Sequence, residues 1–99
     1  MPSLTVELHP SAIDEANAAF RWYAERSPAA ANAFIAELDK AMVAVSESPE
    51  RWPEYVAGAR RYLFRRFPFY VVYTLESGTV RVLAVAHARR KPGYWKDRQ

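Results

Sequence analysis

Apolar and polar residues alternate over residues 3–8, which is the period of a strand with one buried face. Pro10 ends this pattern, because proline cannot donate a hydrogen bond to a sheet ladder. Ser11 and Asp14 have the spacing of a capping box, with aspartate in place of the usual glutamate. We therefore predict a first strand over residues 3–8 and a helix that begins at about residue 11.

Two segments then show the period of an amphipathic helix. The first extends from about residue 11 to 26, and its apolar stripe comprises Ile13, Ala16, Phe20, Tyr23 and Ala24. Ser27 and Pro28 are typical of the N-cap and first position of a new helix, which we expect to continue to about residue 47. The inward stripe of this second helix comprises Ala31, Phe34, Ile35, Leu38, Met42 and Val45. So short a connection predicts an antiparallel helical hairpin.

The second half of the chain has the pattern of a loop followed by three strands. Residues 48–59 contain two prolines and a glycine and predict a loop, with Trp52 and Tyr55 as its anchors. Strand-like segments follow at about residues 60–67, 69–75 and 79–87. The turn Glu76-Ser77-Gly78 offers a glycine for a positive φ between the last two segments. Three consecutive strands predict an antiparallel meander.

Together these elements predict an α+β fold in the order βααβββ. We expect a four-stranded, mainly antiparallel sheet with the helical hairpin on one face. The residues after the last strand, from Arg89 to Gln99, form a basic tail whose conformation the pattern leaves open. Tyr94 and Trp95 in this tail either cap the core or stack on a nucleic-acid base.

The composition fits one domain over residues 1–99. Of the 99 residues, 51% are hydrophobic, which is enough for one modest core. The chain has no cysteine, so disulfides are excluded and a reducing cytoplasm is compatible. With two histidines and no thiol, we expect neither a metal site nor a cofactor. The sequence shows no signal-peptide or bilayer-spanning pattern, which predicts a cytoplasmic protein without a membrane partner.

Charge is divided unevenly between the two halves of the chain. Residues 1–50 carry three Lys and Arg against eight acids, a net charge of −5, whereas residues 51–99 carry eleven against three, a net charge of +8. The basic residues alternate with aromatic ones from Arg60 to Phe67, so we expect them on a folded surface rather than in a disordered arm. We interpret this surface as a binding face for something anionic. Protection of exposed strands against edge pairing is the alternative role.

Two consecutive segments carry a resemblance to a known family. They are RRYLFRRFPFYVVY, residues 60–73, and VRVLAVAHARRKP, residues 80–92. With the order of strand, two helices, loop and meander, they resemble the RelE/ParE superfamily of toxins from type II toxin–antitoxin modules. The resemblance implies a RelE/ParE-like fold, growth arrest, a role in plasmid stabilisation and a cognate antitoxin that holds the toxin inactive. It also implies one of two targets, DNA gyrase or messenger RNA on the ribosome.

A nuclease of this kind needs an acid, a base and cations around the phosphate, because the ribose 2′-hydroxyl attacks the neighbouring phosphate without a metal. The resemblance offers His87, Arg89 and Tyr94 for these catalytic roles; the alternative for His87 is that of a hydrogen-bonded structural histidine. RNA-cleaving members place an arginine early in the third strand, where this chain has Tyr70. That departure favours the ParE branch, whose action needs no catalytic residue on the toxin.

For a ParE-like toxin, exposed cations would contact the target. The candidates are Arg61, Arg65, Arg66, Arg81, Arg90 and Lys91. Alternation along the strands predicts that Arg61 and Arg65 share one face of the sheet, and that Arg81 and His87 share one face. Trp22 lies off the apolar stripe of its helix, so we expect it to be an exposed anchor for a partner.

We therefore predict the toxin of a type II toxin–antitoxin module that inhibits DNA gyrase. A ribosome-dependent endoribonuclease that cleaves messenger RNA is the first alternative. An inactive toxin-like module that only binds a partner is the second. The charge division predicts an antitoxin whose toxin-binding segment is acidic and folds on contact.

Overall fold

The computed structural model describes residues 3–98 and has the element order βααβββ. The elements are β1 (Thr5–Leu8), α1 (Pro10–Ala24), α2 (Pro28–Glu47), β2 (Arg60–Leu63), β3 (Phe69–Glu76) and β4 (Thr79–His87). The strands form one sheet in the order β1-β4-β3-β2, in which β1 is parallel to β4 and the other two pairings are antiparallel. This mixed sheet confirms the predicted α+β class and element order.

The two helices begin with different caps. At α2, the backbone N–H of Ala30 donates to Ser27 Oγ at 3.2 Å and proline occupies the first turn, as predicted. At α1, the predicted capping box at Ser11 is wrong, because His9 is the N-cap and its Nδ1 accepts the N–H of Ser11 at 3.0 Å. Pro10 has the fixed φ that suits a first helical position, so the helix begins one residue earlier.

The main core lies between the helical hairpin and one face of the sheet, called here the helix face. Phe34 is fully buried at its centre, with ring centroids 5.3–5.7 Å from those of Tyr23, Phe64, Phe67 and Phe69. The sheet contributes Val71, Tyr73, Val80, Val82 and Val85. The α1 helix contributes the small residues Ala12, Ala16 and Ala19. The predicted inward position of Ile13 is wrong, since its side chain is 46% exposed.

The opposite face of the sheet, called here the second face, is partly covered by the 48–59 loop and the C-terminal tail. Trp95 is only 1% exposed and packs with Tyr70, Val72, Ala84 and Ala86. The loop contributes Tyr55, Val56 and Ala59 to the same cluster. Trp95 therefore caps the core. Core capping is one of the two roles that the sequence leaves open for Tyr94 and Trp95.

Two local features change the direction of side chains from the predicted pattern. Strand β2 ends at Leu63 rather than residue 67, and the chain bends over residues 64–68. In β4, Ala84 is opposite Val72 but Val82 is opposite Tyr73, so Leu83 is an extra residue in a β-bulge. After such a bulge the alternation of side chains between the two faces is shifted by one residue.

The β3–β4 turn has Ser77 at φ 50° and Gly78 at φ 78°, which confirms the predicted use of glycine there. Neither helix in residues 3–98 has the length and hydropathy needed to cross a membrane. The predicted domain limits and tail include residues 1, 2 and 99, which lie outside the described part of the chain.

Candidate functional site

Arg61 lies on the second face and is held by aromatic rings. Its guanidinium is 4.0 Å from the ring centroid of Tyr55 and 5.2 Å from that of Tyr70, and the residue is half-buried. Burial raises the pKa of Tyr70 to about 12, with a further contribution from Tyr55. The backbone N–H of Arg61 donates to Pro53 O at 3.4 Å, which ties the loop to the β2 edge. Arg61 therefore stabilises the loop as well as carrying a charge.

Arg65 and Arg66 lie in the bend after β2 and are exposed. Glu37 of α2, itself 6% exposed, accepts the backbone N–H of both residues, and its carboxylate is 3.9 Å from Arg66 Nε. A hollow of about 260 Å³ lies between α2 and this bend, and its lining includes Lys40, Arg65 and Arg66. The prediction that Arg61 and Arg65 share a face is wrong, because the strand ends before Arg65 and Glu37 draws the bend towards the helices.

Arg81 lies opposite Thr74 on the second face, and its Nε is 3.8 Å from Glu76 Oε2. The prediction that Arg81 and His87 share a face is also wrong. The bulge at Leu83 separates them, so that His87 lies on the helix face with its ring centroid 5.0 Å from that of Phe69.

A groove of about 430 Å³ lies between α1 on one side and the tail and the start of β3 and end of β4 on the other. Its walls are mainly apolar and include Ala18, Ala19, Trp22, Tyr23, Pro68, Phe69 and Val85. Its polar lining comprises Glu15, His87, Arg90 and Tyr94. Trp22 is 52% exposed, as predicted, and the Arg26 guanidinium is 3.7 Å from its ring centroid. We name this feature the α1 groove.

Glu15 is the centre of the hydrogen-bond network at one end of the α1 groove. It accepts from the Tyr94 hydroxyl at 2.7 Å, from the Val85 N–H at 3.0 Å, and from both terminal nitrogens of Arg98 at 3.0 and 2.9 Å. Burial raises the pKa of Tyr94, and its hydrogen bond to the Glu15 carboxylate adds to this. Hydrogen bonding to Glu15 likewise raises the pKa of Arg98. The carboxylate joins α1, β4 and the tail.

The sequence profile described as "ParE toxin of type II toxin-antitoxin system, parDE" matches residues 6–92. The chain belongs to the ParE toxin family. A solved structure described as "Chromosomal ParDE TA system from P. aeruginosa" has a similar fold, with a TM-score of 0.76 and 14% sequence identity over 88% of this chain and 98% of that chain. No curated protein is significantly similar to this chain. The family match confirms the predicted superfamily and branch.

The three residues considered for catalysis do not all face one cavity. His87 and Tyr94 line the α1 groove, whereas Arg89 is not among its lining residues. The Nδ1 atom of His87 accepts the backbone N–H of Arg89 at 3.0 Å, and the Tyr94 hydroxyl donates to Glu15. Within residues 3–98, no three His, Asp or Glu side chains lie close enough together to hold a metal ion.

The sequence reasoning overlooked Glu15 and Glu37, the two acids that organise this ParE-family fold. A signal was present for Glu15, because it lies among Ala12, Ala16 and Ala19 at helical spacing. A carboxylate beside a buried stripe requires hydrogen-bond donors. Its partners are 70–83 residues distant along the chain, so the sequence pattern alone could not identify them.

Proposed function

We propose that this ParE-family chain inhibits DNA gyrase and that a cognate antitoxin neutralises it. The observation that carries the proposal is the engagement of Tyr94, whose hydroxyl donates to Glu15 at 2.7 Å and whose pKa is raised. A message-cleaving site needs a group poised to transfer a proton near neutral pH. Tyr94 is instead used as a fixed donor to a carboxylate, which favours binding over cleavage.

The filled second face supports the same choice. RNA cleavage requires room for a ribose and a phosphate between an acid, a base and cations. Much of this face is occupied by Trp95, Tyr70 and Ala59, which are at most 3% exposed. Arg61 is stacked on the adjacent tyrosines, and Arg81 is paired with Glu76.

Five of the exposed cations lie on two segments that meet at one end of the sheet, and they offer a surface for the target. The backbone N–H of Ala88 donates to Pro68 O at 2.7 Å, which places the start of the tail beside the bend after β2. This contact brings together five exposed residues, Arg65, Arg66, Arg89, Arg90 and Lys91, here named the basic end. Such a cluster fits phosphates or an acidic protein surface, both of which a gyrase–DNA complex presents.

The α1 groove is the surface we assign to the antitoxin. Its apolar walls and half-exposed Trp22 suit the apolar face of a helix, and Arg90 at its polar end suits an acidic residue of that helix. An antitoxin in this position would contact Arg90, which belongs to the basic end. Neutralisation would then follow from competition for part of the target-binding surface.

The experiment measures two activities of the purified chain. We expect inhibition of DNA supercoiling by gyrase and no cleavage of messenger RNA in a translating extract. Arg65→Ala combined with Arg66→Ala should weaken inhibition tenfold or more, since each lost contact to a desolvated partner is typically worth about 1 kcal/mol or more. The control is Arg51→Ala, which removes an exposed arginine next to Glu50, in the loop before β2.

His87, Arg90 and Tyr94 share the lining of the α1 groove, which makes ribosome-dependent cleavage the second candidate. Cleaved messages with unimpaired gyrase would replace the proposed function by that one. Intact messages with unimpaired gyrase, from a chain that still binds its antitoxin, would instead identify an inactive partner-binding module.

A further inference from the structure

Within residues 3–98, the edge of β4 that faces α1 has no strand partner beyond Val82. The β1 strand ends at Leu8, opposite Val82, and the chain then turns into α1. Leu83 O and Val85 N–H would otherwise lack partners along this edge. Glu15 accepts the N–H of Val85 at 3.0 Å, and Arg98 donates to Leu83 O at 2.9 Å. The side chains of Glu15 and Arg98 therefore supply the hydrogen bonds that a neighbouring strand would otherwise make to Val85 and Leu83.

The tail itself contains no helix or strand in the described residues. Residues 88–98 form successive turns, such as those closed by Tyr94 N–H donating to Lys91 O at 3.2 Å and Lys96 N–H donating to Gly93 O at 3.0 Å. Isolated turns of this kind do not hold a segment against a sheet without side-chain contacts. The tail is fixed mainly by Trp95 in the second face and by Tyr94 and Arg98 on Glu15.

The contact to Glu15 also determines the position of a target-binding cation. The Arg90 guanidinium is 3.9 Å from the ring centroid of Tyr94, and the hydroxyl of that ring is bound to Glu15. Arg90 is next to Arg89 and Lys91, so the orientation of the Tyr94 ring influences three of the five residues of the basic end. The Glu15 carboxylate thus affects the basic end through the Tyr94 ring, although Glu15 does not belong to the basic end.

We propose that Glu15 is a positioning residue for target recognition, because it holds the tail so that Arg89, Arg90 and Lys91 present one fixed cationic surface. This inference rests on the proposed function, since it assigns target contact to the basic end. Glu15 itself does not touch the target. Its effect passes through Tyr94 and Arg98, whose side chains it binds in a largely buried setting, with Glu15 and Arg98 side chains 17% and 18% exposed.

The matched substitutions are Glu15→Gln and Asp14→Asn. Both remove one negative charge from the same turn of α1, but Asp14 is exposed. Val85 and Tyr94 donate to different oxygens of Glu15, so the single glutamine oxygen can accept from only one of them. The glutamine amide group cannot pair with the Arg98 cation. Arg98→Met, which keeps much of the side-chain length, tests the contact from the tail if Glu15→Gln fails to fold.

The readouts are amide hydrogen exchange of residues 89–98 and half-maximal inhibition of supercoiling. We expect Glu15→Gln and Arg98→Met to accelerate tail exchange at least tenfold, with unchanged exchange in β3, and to raise the half-maximal concentration at least tenfold. Asp14→Asn should change neither quantity.

Two results would overturn the inference. One is tail exchange in both single variants equal to that of Asp14→Asn, and the other is a released tail with full inhibition of gyrase. A wild-type chain that does not inhibit gyrase would overturn the proposed function instead. The exchange comparison alone would then decide whether Glu15 orders the tail.

Discussion

At the scale of single residues, two acids on the helices accept hydrogen bonds from backbone N–H groups of other segments. Glu15 binds at the β4 edge, and Glu37 binds the bend after β2 through the N–H groups of Arg65 and Arg66. Each acid lies on a helix and fixes a non-helical segment that carries arginines or lysines. Carboxylates suit this role because one group accepts several hydrogen bonds at once.

Removal of Glu37 should therefore destabilise the protein. Glu37→Ala leaves two backbone N–H groups without an acceptor, and we expect a loss of about 2–4 kcal/mol in the free energy of unfolding. Glu37→Gln should lose less, because the amide oxygen can still accept. Urea unfolding measures both, and exposed Glu47→Ala is the control, with an expected change within about 0.5 kcal/mol. Equal stability of the alanine variant and the wild type would contradict the role of this carboxylate.

Tyr73 should make the fold sensitive to alkaline pH. The residue is fully buried, donates to Pro49 O at 2.6 Å, and burial raises its pKa from 10.0 to about 12. Because the unfolded chain releases this proton first, its contribution is fully present below pH 10 and is lost as pH rises towards about 12. The expected loss in the free energy of unfolding is about 2–3 kcal/mol.

Unfolding free energies between pH 8 and about 12 test this titration. Tyr73→Phe should be somewhat less stable than the wild type at pH 8, because Pro49 O loses its donor. It should also lose less stability as pH rises, since one tyrosine with a raised pKa has been removed. Parallel pH profiles for the two proteins would show that Tyr73 does not contribute to alkaline sensitivity.

At the scale of elements, the tail is part of the folded structure and not only a recognition segment. Trp95 is 1% exposed on the second face, so removal of residues 89–99 uncovers the side chains beneath it. We expect this truncation to cost at least about 3 kcal/mol, as for loss of a buried tryptophan. Thermal unfolding measures the cost. A truncated chain with an unchanged melting temperature would contradict it.

The elements also show where sequence reasoning succeeds and where it stops. Hydrophobic period, the Ser27 cap and the Gly78 turn are local signals, and they predict the order and approximate bounds of the helices and strands. The end of β2 at Leu63 depends on Glu37, and the shift in β4 depends on a bulge at Leu83. Alternation alone therefore placed Arg61 with Arg65, and Arg81 with His87, on shared faces that the strand end and the bulge separate.

At the scale of the whole molecule, folding brings together exposed cations from two parts of the basic half of the chain. The contact between Ala88 and Pro68 gathers the basic end from two segments that are distant in sequence. The sequence therefore indicated a basic surface and four of the six target-binding candidates in it, but not which of the six would be exposed. Arg61 and Arg81 became engaged in stacking and ion pairing, whereas Arg89 joined the exposed group.

Association with an acidic antitoxin should consequently depend on salt. The Debye length falls from about 30 Å at 0.01 M to about 8 Å at 0.15 M ionic strength, so long-range attraction to the basic end is screened. We expect the association rate constant to fall tenfold or more across this range, with a smaller change in the dissociation rate constant. Stopped-flow measurements with the cognate antitoxin test this expectation. An association rate independent of salt would assign recognition to the apolar groove alone.

The pairing of β1 with β4 has a consequence for the timing of synthesis. These are the first and last strands along the chain, yet they are neighbours in the sheet, with Thr5 opposite Thr79. A growing chain leaves the ribosome from its N-terminus, so β1 and both helices emerge before the strand that completes their layer. The basic end therefore assembles only after β4 and the tail have been translated. Val85, His87 and Tyr94 also line the α1 groove, so the surfaces proposed for the target and for the antitoxin form at the same late stage of synthesis.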